Sequence, residues 1–393
     1  MKKLHIINLG KMGGVERLFL QYINDVSDGN DDVICISNQI DPDILQQMPR
    51  QHVTFANRLF PHFPLKSPQF LRKHLLQKRV NASNADMIIV WDLVPRLTAK
   101  PRKAKLVYYD HGCSWRYPKN GKTLAFMAML DGVISASGAS SRVMQHRFNL
   151  PCLHKVVINR LVTPQGIDPA VRQLRQPIRI GTASRQVGLK GISVSLLMTK
   201  ELLTRGHNVT LEVAGKGPDR EAFEDLAQRL GISEHVRFSG FQHNIADFFN
   251  RVDIYMSTPV TEPFGLSCME ALYFGVPVIF PFVDGQPEVI ADKICGIGLS
   301  PRVSLSEHQQ LTGIDVDFPY QVYDPIKDAM TEPMLLSHID CADAFEFLIQ
   351  KENYQAYSEN AKNWTMTHFD YAYFRDEIES SLNEIANIKN AHQ

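Results

Sequence analysis

Thr261-Glu262-Pro263-Phe264-Gly265-Leu266-Ser267-Cys268-Met269-Glu270-Ala271-Leu272 lies between two short apolar runs. Upstream, Val252-Asp253-Ile254-Tyr255-Met256-Ser257 reads as a buried strand; downstream, Gly275-Val276-Pro277-Val278-Ile279 reads as a helix stop leading into another strand. Pro263 and Gly265 mark a turn, and the residues after Gly265 predict a helix. A strand–turn–helix with bare backbone N–H groups at the helix start is a natural anion site. Glu262 falls in the turn and Glu270 two turns into the helix. Ionised carboxylates accept hydrogen bonds from hydroxyls, so a carboxylate at each end of an anion site suits a sugar nucleotide.

Outward from this unit, short apolar runs alternate with helical stretches. Strands are expected over 4–9, 32–37, 86–91, 105–109, 132–135 and 155–158, with a first helix over 14–24. The 164–177 stretch, bounded by prolines, reads as a linker, and the pattern restarts at Ile178-Arg179-Ile180-Gly181-Thr182-Ala183. Helix 193–204, strand 209–213, helix 220–230 and strand 236–239 follow. This alternation predicts an α/β protein of two Rossmann-like, doubly wound parallel-sheet domains. The expected divisions are 1–170, 171–370 and a closing amphipathic helix over 371–393. Ligands of such sheets bind beyond the carboxyl ends of the strands, which places the expected site in the cleft between the halves. Residues 302–337 break the rhythm with Pro, Ser and Asp and read as an irregular excursion.

At 393 residues, 44% apolar and 21% charged, the chain has an ordinary globular composition and is too long for one core. No run reaches the ~18 apolar residues of a membrane span. The N-terminus turns polar too soon for a signal peptide and reads as a first strand. Six cysteines (35, 113, 152, 268, 295, 341) show no CxxC or zinc spacing, which fits reduced thiols in a cytoplasmic protein. The 42 basic and 42 acidic residues balance, but unevenly. Residues 50–122 hold fifteen Lys or Arg (50, 58, 66, 72, 73, 78, 79, 96, 100, 102, 103, 105, 116, 119, 122) against Asp86, Asp92 and Asp110. Such a segment attracts an anionic partner or surface, and the apolar residues within 58–66 and 70–79 suit lipid headgroups. An ordinary basic helix with Phe70 and its leucines packed inward is the alternative. Nucleic acid is disfavoured, because no recognition motif accompanies the charge.

Further motifs sit at expected strand ends. Gly10-Lys11-Met12-Gly13-Gly14 lets a backbone approach a phosphate or sugar, or simply makes a tight turn; it is not GxGxxG and no ribose-binding acid follows. Arg185 and Lys190, five apart in a glycine-containing turn, can clamp a diphosphate or stand as solvated charges. Gly215-Lys216-Gly217-Pro218 lacks the Ser/Thr and spacing of a P-loop; it fits a turn or a backbone wall beside a nucleotide. His111, ending Tyr108-Tyr109-Asp110-His111-Gly112, can hydrogen-bond a hydroxyl or polarise an acceptor.

Taken together, these pieces resemble the family 4 glycosyltransferases, retaining enzymes of the GT-B fold. The resemblance spans nearly the whole chain. It rests on Gly13-Gly14-Val15-Glu16, His111, Arg185 with Lys190, Gly215-Lys216-Gly217-Pro218, Ser239-Gly240-Phe241, and Glu262-Pro263-Phe264-Gly265 with Glu270. It implies a nucleoside-diphosphate-sugar donor, UDP- or GDP-linked, and no metal or other cofactor. Arg185 and Lys190 would hold the diphosphate, and backbone N–H groups of Phe264, Gly265 and Leu266 would reach the β-phosphate and sugar. Glu262 would take the sugar hydroxyls, Glu270 the ribose hydroxyls, and the backbone near Phe241 the base. Gly13 and Gly14 would line the phosphate side, and His111 would sit near the transferred sugar and acceptor. The last helix would cross back to the first domain, which takes the acceptor, and no DxD pair is evident in the donor site. The implied acceptor is a glycan or lipid-linked glycan, such as a lipopolysaccharide core or capsule precursor. Cytoplasmic placement, peripheral on the inner face of the cytoplasmic membrane, would follow.

Two positions depart from the family pattern. Asn159-Arg160-Leu161 replaces a common Asn-Gly, and Asp284-Gly285-Gln286-Pro287-Glu288 replaces a usual Gly-Gly before the late acid, which weakens a role for Glu288. A GT-B sugar-nucleotide epimerase and a non-catalytic sugar-nucleotide-binding subunit are the competing readings. Retention of all four charged donor residues opposes both.

Overall fold

The computed structural model describes residues 1–26, 29–48, 52–59, 65–112, 114, 117–168 and 172–388. It divides into two compact units: Met1–Val162 with the chain from Tyr371 onward, and Thr163–Asp370. The division falls at 162/163 rather than 170/171; residues 169–171 lie outside the described set, as do Arg50, Arg116, Cys113 and 60–64.

The first unit is built on seven parallel strands in the order β3-β2-β1-β4-β5-β6-β7. They are β1 (Lys3–Ile7), β2 (Asp32–Cys35), β3 (His52–Phe55), β4 (Met87–Trp91), β5 (Lys105–Asp110), β6 (Gly132–Ser135) and β7 (Leu153–Val156). Helices α1 (Gly14–Asp25), α2 (Pro42–Gln47), α3 (Gln69–Ala82), α4 (Gly121–Met127) and α5 (Gly138–Phe148) connect them. Every residue of β1 and β4 is buried; β4 therefore reads as an unbroken apolar run, while β1 also buries Lys3 and His5.

The second unit has six parallel strands in the order β10-β9-β8-β11-β12-β13. They are β8 (Ile178–Ala183), β9 (Val209–Ala214), β10 (Val236–Gly240), β11 (Ile254–Met256), β12 (Val278–Pro281) and β13 (Gly296–Leu299). Its first helices are α6 (Ile192–Thr204), α7 (Arg220–Arg229), α8 (Ile245–Arg251), α9 (Leu266–Tyr273) and α10 (Gln286–Val289). The strand order reverses between β8 and β11, which pair in parallel. That reversal opens a crevice at the carboxyl ends of these two strands, the standard ligand position of an open α/β sheet.

The 302–337 stretch is not irregular. β14 (Val303–Ser304) pairs antiparallel with β17 (Met334–Leu335), enclosing α11 (Leu305–Thr312) and a hairpin of β15 (Val322–Asp324) and β16 (Ala329–Thr331). Its apolar residues Ile314, Val322, Leu335 and Leu336 are buried. Short strands of two or three residues carry no readable periodicity, so composition alone misread them. Helices α12 (His338–Leu348) and α13 (Lys351–His368) complete this unit. The final helix, α14 (Tyr371–Asn387), returns to the first unit. There Lys3 pairs with Glu379 at 2.8 Å, Tyr22 donates to the same carboxylate at 2.7 Å, and Phe374, Ile378, Leu382 and Ile385 are buried.

Candidate active site

The loops after β8 and β11 flank the strand-order reversal, and they carry Lys190 and Glu262. Lys190 Nζ lies 2.6 Å from Glu262 Oε2. The two side chains are 29% and 20% exposed, so the pair is reachable by solvent and a ligand. An ion pair of that exposure is worth only ~0.2–1 kcal/mol and opens cheaply.

Each partner stands on a rigid turn. Tyr255 on β11 donates its hydroxyl to the Ala183 carbonyl at 3.0 Å and accepts from the Ala183 N–H at 3.1 Å, fixing the end of β8. The Ser184–Gly191 loop then interlocks with the loop after β9: Gln186 N–H donates to Lys216 O at 3.1 Å, and Gln186 Nε2 to Gly215 O at 3.0 Å. A Cβ at Gly215 or Gly217 would overlap the Ser184 or Gln186 carbonyl oxygen. These glycines thus serve close backbone approach between the two loops. Gln186, a mere spacer between two cations in the sequence, is fully buried and locks the loop.

Arg185 is exposed on the same loop. Glu262 is clasped through its backbone: its N–H donates to Asp284 Oδ2 at 2.9 Å and its carbonyl accepts from Gly285 N–H at 3.2 Å. Asp284 also accepts from Thr261 Oγ1 at 2.7 Å and from the Tyr323 N–H at 2.9 Å. Burial pushes the Asp284 carboxyl up to about 7, against the pull of these three donors. Sequence reasoning missed this residue, although its departure from the family's glycine was a signal.

Gly265 adopts φ +106 and starts α9 with no capping side chain. Cys268 and Met269 N–H donate to the Gly265 carbonyl at 3.0 and 3.2 Å, whereas the N–H groups of Gly265, Leu266 and Ser267 precede the first intrahelical bond and have no acceptor within α9. Phe264 is buried and meets Phe369 edge-on at 6.3 Å. Leu266 is partly buried; Glu270 is buried at 4% exposure in the second turn of α9. Phe241, just past β10, is 47% exposed with its ring edge-on to His243 at 5.2 Å. Glu288 lies in the short α10, partly buried. Among the described residues no group of three or more His, Cys, Asp and Glu is arranged to hold a metal ion.

The remaining candidates belong to the first unit. Gly13 precedes α1 and Gly14 opens it, after β1. A Cβ on Gly13 would press on Glu16 Oε2 at 2.7 Å, and burial pushes the Glu16 carboxyl up to about 7. His111 follows β5, its ring stacked on Trp91 at 5.7 Å between centroids and packed against Tyr109 at 4.1 Å. Its N–H donates to Asp92 Oδ1 at 3.0 Å, an aspartate held at φ +52. Burial lowers the His111 pKa to about 4, so the ring is neutral at pH 7. Tyr109 OH donates to Asn159 Oδ1 at 3.3 Å, which turns the Asn159 amide nitrogen to His111 Nδ1 at 3.4 Å. Nδ1 is then the acceptor and Nε2 carries the proton. Nε2 is buried without a hydrogen-bond partner among the described residues, leaving one N–H donor uncommitted. Asn159 thus orients His111, and Arg160, which stands where the family commonly has glycine, pairs with Glu377 at 2.5 Å.

The basic stretch divides by role. Arg58 donates to Asn38 O, Arg72 to Ser67 O, and Arg79 to three carbonyls of 55–58, so these cations hold the fold. Lys66, Lys73 and Lys78 remain exposed, next to Leu65 at 59% and Phe70 at 71% exposure. Phe70 does not pack inward; of the α3 leucines, Leu76 does.

Residues 169–307 match the family model of glycosyl transferases group 1. An uncharacterised glycosyltransferase of Haemophilus influenzae is 23% identical over 306 residues, 75% of this chain and 84% of that protein. The lipopolysaccharide glucosyltransferase WaaG of Escherichia coli is 31% identical over 110 residues, 28% of this chain and 29% of WaaG. Six other curated relatives are likewise matched over only 29% to 42% of their length. The crystal structure of Anabaena HepE with UDP-glucose superposes with a TM-score of 0.72 at 18% identity, covering 98% of this chain and all of that one. The chain therefore has the fold of the GT-B glycosyltransferases and, over residues 169–307, the sequence of glycosyl transferases group 1.

Proposed function

We propose that this protein is a retaining, metal-independent glycosyltransferase of the family 4 type. It moves a hexosyl group from a nucleoside-diphosphate sugar to a glycan or lipid-linked glycan. The observation that carries this reading is the Lys190–Glu262 pair at 2.6 Å beside the open α9 start, at the strand-order reversal. A cation, a carboxylate and bare N–H groups meet there, matching the diphosphate and hydroxyls of such a donor. HepE was crystallised with UDP-glucose, which favours a UDP-linked donor.

When the glycosidic bond to the diphosphate breaks, negative charge develops on the leaving oxygen. Arg185, Lys190 and the α9 N-terminus stabilise it where it forms, the largest catalytic contribution open to this site. Lys190 exchanges Glu262 for the diphosphate, and the released carboxylate accepts the sugar hydroxyls. The acceptor hydroxyl attacks the anomeric carbon from the face the diphosphate leaves, and a phosphate oxygen takes its proton. Configuration is thereby retained. Glu270 takes the ribose hydroxyls, Phe241 the base, and His111 Nε2–H a hydroxyl near the reacting sugar.

A sugar-nucleotide panel in a thermal-shift assay tests this. At 100 times Kd, the true donor should stabilise the protein by ~2.7 kcal/mol. A panel of UDP- and GDP-sugars with no shift would remove the functional reading.

We further propose peripheral membrane attachment at the cytoplasmic face through Leu65, Lys66, Phe70, Lys73 and Lys78, serving an acceptor of the lipopolysaccharide-core or capsule type. The exposed mixture of apolar and cationic side chains supports the attachment, and the likeness to the lipopolysaccharide glucosyltransferase WaaG supports the acceptor type. No helix of the described residues is long and apolar enough to cross a membrane. The protein should co-sediment with anionic liposomes and not with neutral ones; equal binding to both would end this idea.

A further inference from the structure

We propose that Asp284, tied to the β15–β16 hairpin, is a positioning residue that aims Glu262 at the donor sugar, making the 302–337 excursion a determinant of donor-sugar recognition. The inference rests on the donor-site reading above. Asp284 is 1% exposed and its two carboxylate oxygens take different partners. Oδ2 accepts from Thr261 Oγ1 and Glu262 N–H, both in the donor turn. Oδ1 accepts from Tyr323 N–H on β15, and Asp284 N–H donates back to Tyr323 O at 2.9 Å. One side chain thus joins the donor turn to an element 39 residues further along the chain.

Backbone geometry separates this role from ordinary packing. Asp284 sits at φ +48, where an L side chain is strained and glycine is not. The family pattern has glycine here, so the aspartate is held against its own backbone preference. Strain of that kind persists only where surrounding contacts enforce it. The excursion grips the other donor loop as well. His308 Nε2 on α11 lies 2.7 Å from Ser193 Oγ at the start of α6, and the Asp315 carbonyl closes on Gly188 so tightly that a Cβ there would overlap it. Both halves of the Lys190–Glu262 pair therefore stand on loops that the excursion backs.

Two substitutions test the idea. Asp284→Gly relieves the strain and removes the carboxylate; Asp284→Asn keeps the shape but turns one acceptor into a donor facing N–H groups. Binding of UDP-glucose, UDP-galactose, UDP-N-acetylglucosamine and GDP-mannose is measured beside UDP and GDP, with the melting temperature of each variant. The expected result is a ten- to hundred-fold loss of affinity for the preferred donor, on the order expected for a misplaced contact group. Affinity for its nucleoside diphosphate alone should stay within about two-fold, and Asp284→Gly should melt within a few degrees of the parent. Equal losses for donor and nucleoside diphosphate, or no loss for either, would overturn the positioning role. A parent protein that binds none of these ligands would overturn the donor-site reading itself, and the role of Asp284 with it.

Discussion

Lys190→Ala should lower kcat/KM for sugar transfer by about 10²–10³-fold, as removal of one charge-stabilising donor does elsewhere. The same substitution should move the melting temperature by no more than a few degrees. The two expectations follow from one fact: the Lys190 ammonium is partly exposed and, among the described residues, its only ion pair is with Glu262. In the resting protein that pair contributes ~0.2–1 kcal/mol, so its loss is nearly silent in folding. On the proposed function, the same ammonium would face in the transition state a diphosphate gaining charge in a drier site, where each interaction is worth more. Initial rates and calorimetry on the same preparation check both. A variant with unchanged kcat/KM would exclude Lys190 from the donor site, and a variant that unfolds would make the pair structural.

Gly191→Ala should destabilise the protein by about 4 kcal/mol or more, a size reserved for severe backbone or core conflicts. Gly191 adopts φ +63, and its added Cβ would overlap the Thr258 carbonyl oxygen. Backbone cannot swing aside as a side chain can, and Thr258 is further tied down by its Oγ1–H bond to Gly191 O at 2.8 Å. Gly206→Ala is the control. Its φ of +88 is equally unfavourable, but nothing lies within 4 Å of the new Cβ. That change should cost only ~1 kcal/mol of conformational strain. Urea midpoints of the two variants separate close approach from strain. Similar midpoints would mean that the contact between the β8 and β11 loops does not constrain the site.

The readable part of this chain was what local chemistry writes locally. β4 and β8 stood out because both faces are buried, and the Glu262–Glu270 segment because Pro and Gly punctuate it. The pairing of Arg185 and Lys190 with a strand end was legible for the same reason. Hidden features depend on partners far along the chain. Asp284 acts on Glu262 from 22 residues away and answers to Tyr323 across 39. His111 drew notice as a lone histidine, but its tautomer is set by Asn159, 48 residues on, and its backbone by Asp92, 19 residues before. The β3 and β13 edge strands escaped because four-residue strands bounded by polar segments leave little pattern. A count of basic residues could not tell Arg79, spent on three carbonyls, from Lys73, left to solvent.

The ion pair between Lys3 and Glu379 joins residues 376 positions apart. Helix α14 seats Ile385 so close to β6 that a Cβ on Gly132 would press on it at 2.6 Å. Within this sequence the sheet of the first unit is thus translated before the second unit and its α14 cover after it. Until α14 is translated, the nascent chain carries an open seam on the first unit's sheet.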